Sequence, residues 1–163
     1  MNIRGFVKQL NFWQLFRLAK ILIQNPLFIY PTLQATRKTL VICDALYKKE
    51  HHRNGKANAF RHALWNIWIC LAIFKRTNNK EKSTNWAKKI TDLHEKLAPN
   101  SAIEKEMDLH NNKIGRQYFF NLSTTSEEEI VAFLKQNTQK AKRITDLKEI
   151  SNHKNNLVYL LEE

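Results

Sequence analysis

The chain has few of the residues that interrupt or cross-link regular structure. Its 163 residues include 3 glycines, 3 prolines and 2 cysteines. So little glycine and proline excludes a collagen-like or low-complexity chain and disfavours a loop-rich β-sandwich. Both cysteines, Cys43 and Cys70, lie in apolar runs. We therefore expect buried free thiols in a reducing compartment, rather than a disulfide framework or a zinc ribbon.

Acidic residues are also few beside basic ones, with 15 Asp and Glu against 27 Lys and Arg and a net charge of +12. The excess is largest in residues 1–60, which carry ten basic and two acidic residues. A basic surface favours anionic partners such as phospholipid, nucleic acid or acidic protein. Composition does not choose among these, and a coding bias toward Lys and Asn would give the same excess.

Hydrophobic periodicity predicts an all-α fold, a single compact domain of about six helices. We expect helices over residues 3–23, 32–49, 58–75, 83–97, 102–121 and 126–143, with residues 27–30 as a connector. Residues 157–161 fit a short strand or a last helical turn. We divide the chain into an N-terminal basic and aromatic segment (1–50), a motif-bearing core (57–121) and a C-terminal helix and tail (122–163).

The first predicted helix is mostly apolar, but Lys8, Arg17 and Lys20 are spread around it. It is too charged for a comfortable membrane span and too apolar to lie free in water. A buried helix, a helix in a membrane interface and an uncleaved signal-like segment all remain open. No small-x-small cleavage site precedes Pro26. We therefore expect a cytoplasmic protein, with peripheral binding to the inner membrane face or export without a cleavable signal as alternatives.

Polar residues recur at helical spacing in three otherwise apolar predicted helices. One helix carries Asn58, His62 and Asn66 at i, i+4 and i+8. The other two carry a group at 92–95 and a stripe from Glu104 to Arg116. A buried polar group without a partner costs roughly 1–3 kcal/mol, so the stripes should meet each other, face water or hold a ligand. A structural network or a solvated face is the competing interpretation.

Three blocks of sequence carry a resemblance. They are Asn58-Ala-Phe-Arg-His-Ala-Leu-Trp-Asn66, then His94-Glu95, then Glu106-Met-Asp-Leu-His-Asn-Asn-x-x-Gly-Arg116. Together they resemble a small uncharacterised bacterial domain family with the pattern (D/N)AFRHALW…HE…MDLHNNxxGR. Similar domains lie at the ends of larger secreted, toxin-like proteins, which implies an enzyme. The motif residues implied here are Asn58, Arg61, His62, Trp65, His94, Glu95, Asp108, Asn111, Asn112, Gly115 and Arg116.

These residues predict a hydrolase that uses activated water, since no Ser, Thr or Cys belongs to the motif. We assign catalysis to His62, Asp108 and Glu95, because imidazole and carboxyl groups exchange protons. Substrate binding is assigned to five residues: Asn58, Arg61, Asn111, Asn112 and Arg116. A divalent metal is a weaker prediction, since no HExxH motif occurs; its ligands would be His62, His94, Glu95 and Asp108.

The predicted substrate is anionic, a phosphate ester or a lipid-type molecule, held between the third, fourth and fifth helices. Two other functions stay open. One is a non-enzymatic membrane-surface or protein-interaction module, and the other is nucleic-acid binding or cleavage. The adjacent His51 and His52 lie in a polar loop, where we expect them to be solvated.

Overall fold

A computed structural model of the chain describes residue 19 and residues 23–160, so most of the helix predicted over 3–23 lies outside the described residues. The described part confirms the all-α prediction, with six helices in one compact domain. The elements are α1 (Pro26–Tyr47), a 3-10 helix (Glu50–His52), α2 (Lys56–Thr77), α3 (Lys80–Leu97), α4 (Ala102–Leu122), α5 (Glu127–Gln139), β1 (Lys142–Arg143), α6 (Leu147–Ile150) and β2 (Val158–Tyr159).

Helix α2 is the centre of the domain. It packs against α1, α3, α4 and α5. Its sequence explains this position, because apolar residues cover nearly the whole circumference of the helix. Phe60, Leu64, Ile67 and Ile73 are among its fully buried side chains. The polar residues Asn58, His62 and Asn66 of α2 are therefore buried among the neighbouring helices.

Capping residues fix several helix boundaries. Ser101 and Ser126 each form a capping box with a glutamate three residues later. The predicted connector at 27–30 is wrong, because α1 already begins at Pro26 and continues through Pro31. Pro26 suits the first helical position, where its missing N–H is not needed.

The C-terminal tail closes the fold by a strand pair. β1 and β2 are parallel, with Lys142 opposite Val158 and Arg143 opposite Tyr159. The strand alternative for the tail is thus the observed one. The helix predicted to reach residue 143 instead ends at Gln139, because residues 142–143 bond to the tail.

Helix α1 presents apolar side chains on its outer face. Leu27, Tyr30 and Val41 are each more than 60% exposed. Among the described residues, no helix combines the length and apolar content that crossing a membrane requires.

Cys43 and Cys70 are buried free thiols, as predicted, and burial raises the pKa of each to about 12.

Candidate active site

A close approach of two helices brings the polar stripes together. Gly115 of α4 lies against Ala63 of α2, and a Cβ on Gly115 would stand 2.4 Å from the Ala63 carbonyl oxygen. The absence of a side chain at this point allows the two backbones to touch. The next residue toward the N-terminus of α2 is His62, and Asn112 lies one turn before Gly115 on α4. Both side chains are therefore held in the helix interface.

His62 lies between two buried carboxyl groups. Its Nε2 is 3.2 Å from Oδ1 of Asp108, and its Nδ1 is 3.5 Å from Oε1 of Glu95. The three residues come from α2, α4 and α3 and are all at most 3% exposed. Two carboxyl groups and one imidazole buried in contact form a site for holding protons or a cation, because an unpaired buried charge is costly.

The hydrogen bonds around His62 define which ring nitrogen carries the proton. Arg61 donates to Nε2 across 2.8 Å, so Nε2 acts as an acceptor. Nδ1 then carries the ring proton and donates to Oδ1 of Asn112 across 3.2 Å. The lone pair of Nε2 is therefore directed toward Arg61, and Oδ1 of Asp108 lies 3.2 Å from the same nitrogen.

A series of hydrogen-bonded side chains holds the His62 ring and its partner Asn112 in place. The Nδ2 of Asn112 donates to Glu95 across 3.0 Å, and Asn66 donates to Oδ1 of Asn112 across 2.7 Å. Arg116 donates in turn to Oδ1 of Asn66 across 2.9 Å. Asn66 and Asn112 have no exposed surface. These bonds fix the orientation of the His62 ring.

Burial moves the titration of both carboxyl groups toward neutral pH. It raises the pKa of Asp108 to about 8, with a further increase from the nearby Glu95. Burial likewise raises the pKa of Glu95 to about 7, against the lowering effect of the Asn112 hydrogen bond. The pKa of His62 is lowered well below its usual value by burial and by Arg61 and His94. In the pair of His62 and Asp108, the proton therefore stays on the carboxyl group.

Three buried oxygens of this region accept no hydrogen bond from the described residues: Oδ1 of Asp108, Oε2 of Glu95 and Oδ1 of Asn58. The other carboxyl oxygens do have donors. Asn100 donates to Oδ2 of Asp108 across 3.2 Å, and Asn112 donates to Oε1 of Glu95. The unpartnered oxygens of Asp108 and Glu95 thus mark a place where a proton, a water molecule or a cation would be stabilised.

His62 connects the buried cluster to a pocket of about 280 Å³. Arg61 and His94 line the same pocket, and Trp65 forms a wall by an edge contact with His94, their ring centroids 5.2 Å apart. Burial lowers the pKa of His94 to about 4, so this ring is neutral at neutral pH. The remaining lining residues are Thr36, Thr39, Leu40 and His52. The pocket combines one fixed cation with an apolar wall.

The structure brings the three predicted catalytic residues together but separates some of the others. His94, a predicted metal ligand, lines the pocket and lies outside the group formed by His62, Glu95 and Asp108. Asn111 uses its amide for the main chain of Val158, donating and accepting across 2.9 Å. The amide of Asn111 therefore connects α4 to the tail.

Several residues of the site were not predicted from the sequence. Asn66 was recognised in the stripe of α2 but not assigned to the site. Thr91 contacts both Asn66 and Arg116 from α3, each across 3.4 Å. Thr91 lies four residues before Glu95, so helical spacing was a signal for it. Asn100 follows α3 in a loop, and no periodic pattern indicated its bond to Asp108.

A second group of histidine and carboxylate lies at the edge of the same pocket. His51 is fully buried and contacts Asp44 at 2.8 Å, while its ring lies against that of His52. The prediction that both histidines are solvated is therefore wrong for His51, because the 3-10 helix turns it inward onto Asp44. Asp44 itself is exposed.

The family described as domain of unknown function DUF6973 matches residues 19–157. The chain belongs to this family. The match extends beyond the three sequence blocks and covers nearly all of the described structure. It supports the expectation of an uncharacterised domain family. No curated protein and no solved structure matches the chain.

Proposed function

We propose that this DUF6973 protein is a small hydrolase that cleaves a phosphate ester with activated water. The observation that carries the proposal is the buried contact of His62 with Asp108 and Glu95, which opens through His62 onto a pocket containing Arg61. Titratable groups with strongly shifted pKa values beside a pocket are characteristic of catalytic sites. The resemblance to domains of toxin-like proteins is a further reason to propose an enzyme.

The proposed chemistry uses two groups: the buried pair of His62 and Asp108, and the guanidinium of Arg61. A water oxygen attacks phosphorus, and its proton passes to the pair of His62 and Asp108, which holds one proton across 3.2 Å. The ester P–O bond breaks, and the leaving oxygen receives a proton back from the same pair. Arg61 binds the phosphoryl oxygens and offsets their charge. Glu95 and Asn112 orient the ring.

Within this proposal, we narrow the substrate-binding assignments to one residue. Arg61 lines the pocket, so it is the residue that contacts the anion. Asn112 and Arg116 act through the series of hydrogen-bonded side chains that orients His62. Asn111 belongs to the tail contact. The apolar pocket wall at Leu40 and Trp65 favours an ester with an apolar group beside the phosphate.

Turnover of two kinds of substrate tests the proposal. Nitrophenyl phosphate esters represent small substrates, and phospholipid vesicles represent lipid substrates. We expect hydrolysis of at least one kind, abolished by His62→Ala and by Asp108→Ala. Asp92→Asn is the control, because Asp92 is on α3 and pairs with Lys88 outside the pocket. Full turnover in either active-site variant would refute the assignment.

The outer face of α1 favours a second function, binding to an anionic membrane surface. Leu27, Tyr30 and Val41 are exposed on the same helix as Arg37 and Lys38, a combination typical of interfacial helices. We expect sedimentation with vesicles containing phosphatidylglycerol, weakened by salt and by the double change Leu27→Ser and Val41→Ser. Binding that resists salt and the double change would argue against a membrane-binding function.

Nucleic-acid binding stays a prediction from charge, to be tested by a gel shift at physiological salt.

A further inference from the structure

We propose that His62, Glu95 and Asp108 together bind one divalent transition-metal ion. The inference deepens the proposed function, since it concerns the same site, but its evidence is the geometry of the ligand atoms. One donor atom from each residue can be chosen so that all three lie within 4.8 Å of one another. An ion about 2.1 Å from each donor keeps its ligands no more than about 4.2 Å apart, so small side-chain movements complete the site.

The ring of His62 is already oriented as a metal ligand. Metal-binding histidines use one nitrogen for the ion and donate the other N–H to a fixed acceptor. Here Nδ1 donates to Asn112, and Nε2 lies 3.2 Å from the Asp108 oxygen. Nε2 also accepts from Arg61, so the guanidinium must move into the adjoining pocket when an ion takes this nitrogen. Asn66 and Arg116 hold Asn112 in place from behind. A ligand nitrogen and its supporting hydrogen bonds are thus both present.

The carboxyl oxygens provide the second, independent observation. Oε2 of Glu95 is buried and accepts no hydrogen bond, and Oδ1 of Asp108 is buried with only the His62 ring nitrogen beside it, 3.2 Å away. An oxygen removed from both water and donors is unfavourable unless something positive meets it. Arg61 supplies one positive charge against two carboxylates, so a divalent ion would leave the site with a single excess positive charge.

The donor set selects the class of ion. One imidazole nitrogen with two carboxylates suits Zn²⁺, Mn²⁺ or Fe²⁺, whereas Ca²⁺ requires six to eight oxygens. Three protein ligands are fewer than these ions take, so water or a substrate oxygen would complete the shell. With the ion bound, His62 and Asp108 would serve as ligands in place of their role as proton acceptors, and the ion would lower the pKa of the attacking water.

The chain contains a matched control for this site. Asp44, His51 and His52 also place three donor atoms within 4.8 Å, but Asp44 is exposed to water. An ion that binds adventitiously near the surface would choose this group, through the exposed Asp44 and His52. Asp44→Asn therefore removes the competing site and leaves the buried one.

The experiment titrates the full chain, first stripped with chelator, with Mn²⁺ and separately with Zn²⁺ by calorimetry. We expect about one ion per chain. Asp108→Asn and Glu95→Gln, which keep the side-chain shape, should weaken binding at least 100-fold, and Asp44→Asn should leave it unchanged. The imidazole ¹⁵N signal of His62 should shift on adding Zn²⁺. The melting temperature should rise by roughly 5–10 °C at a hundredfold excess of ion over Kd.

Several results would overturn the inference. They are no binding of either ion by the wild-type chain, loss of binding in Asp44→Asn with retention in Asp108→Asn, or no change at His62. Its failure is separable from that of the proposed function. Hydrolysis that continues in chelator would leave the function standing without the ion. Stoichiometric binding at His62 without hydrolysis of any tested ester would leave the metal site standing without the function.

Discussion

Replacing Asp108 with asparagine should stabilise the metal-free protein. Burial holds the pKa of Asp108 at about 8, against about 3.8 in the unfolded chain. At pH 7 the native state must therefore keep a proton that the unfolded state has released. The difference costs on the order of 4 kcal/mol at pH 7. Asparagine is neutral at every pH and avoids this cost.

The shape of the site suits the change. The side-chain NH₂ of an asparagine can share the Nε2 acceptor of His62 with Arg61, because Nε2 is 3.2 Å from Oδ1. Its carbonyl oxygen can accept from Asn100 as Oδ2 does. Asparagine therefore reproduces the protonated form of Asp108. For a chain of this size, the expected gain is roughly 10 °C in melting temperature at pH 7.

The stability gained by Asp108→Asn should depend on pH. A carboxyl group with a raised native pKa destabilises the protein as pH rises from the unfolded pKa to the native one. The advantage of Asp108→Asn should therefore be absent below pH 4, grow up to about pH 8 and then level off. Thermal melts from pH 4 to 8 in chelator measure it. An equal or lower melting temperature for the variant at pH 7 would refute the reasoning about this carboxyl group.

Two further predictions concern the helix interface and the tail. Gly115→Ala places a Cβ 2.4 Å from a carbonyl oxygen of α2 and should cost at least about 3 kcal/mol in chemical denaturation, whereas Gly55→Ala meets no atom within 4 Å and should cost less than about 1. Asn111→Ala removes both bonds to the main chain of β2 and should cost roughly 2–4 kcal/mol, with faster amide exchange in the tail. Asn121→Ala, at an exposed position of α4, should stay within about 0.5. Equal effects within either pair of variants would contradict the structural roles given to Gly115 and Asn111.

Local sequence signals predicted most of the helical framework. Periodicity and capping residues act within one or two turns, so Ser101 and Ser126 marked the starts of α4 and α5. The predictions were wrong where contacts between residues distant in sequence determine the local structure. Residues 142–143 form a strand because the tail pairs with them, and no local pattern contains that partner. The inward turn of His51 likewise depends on Asp44, seven residues away on α1.

The candidate site was predictable in its residues but not in its geometry. Spacing placed His62 and Asp108 on polar stripes, yet spacing does not show which stripes meet. Their meeting depends on the contact of Gly115 with α2, which no periodicity reveals. The distinction between Asn112, inside the network, and Asn111, bound to the tail, also required the three-dimensional structure, because the two residues are neighbours in sequence.

We propose that the buried cluster around His62 is a catalytic site rather than a structural network. The most direct measurement compares phosphate-ester turnover by Asp108→Asn and by Asp92→Asn, with the melting temperature of each recorded in the same buffer. We expect at least a 100-fold loss of turnover for Asp108→Asn in a fully folded protein and little change for Asp92→Asn. Wild-type turnover in a folded Asp108→Asn protein would contradict it.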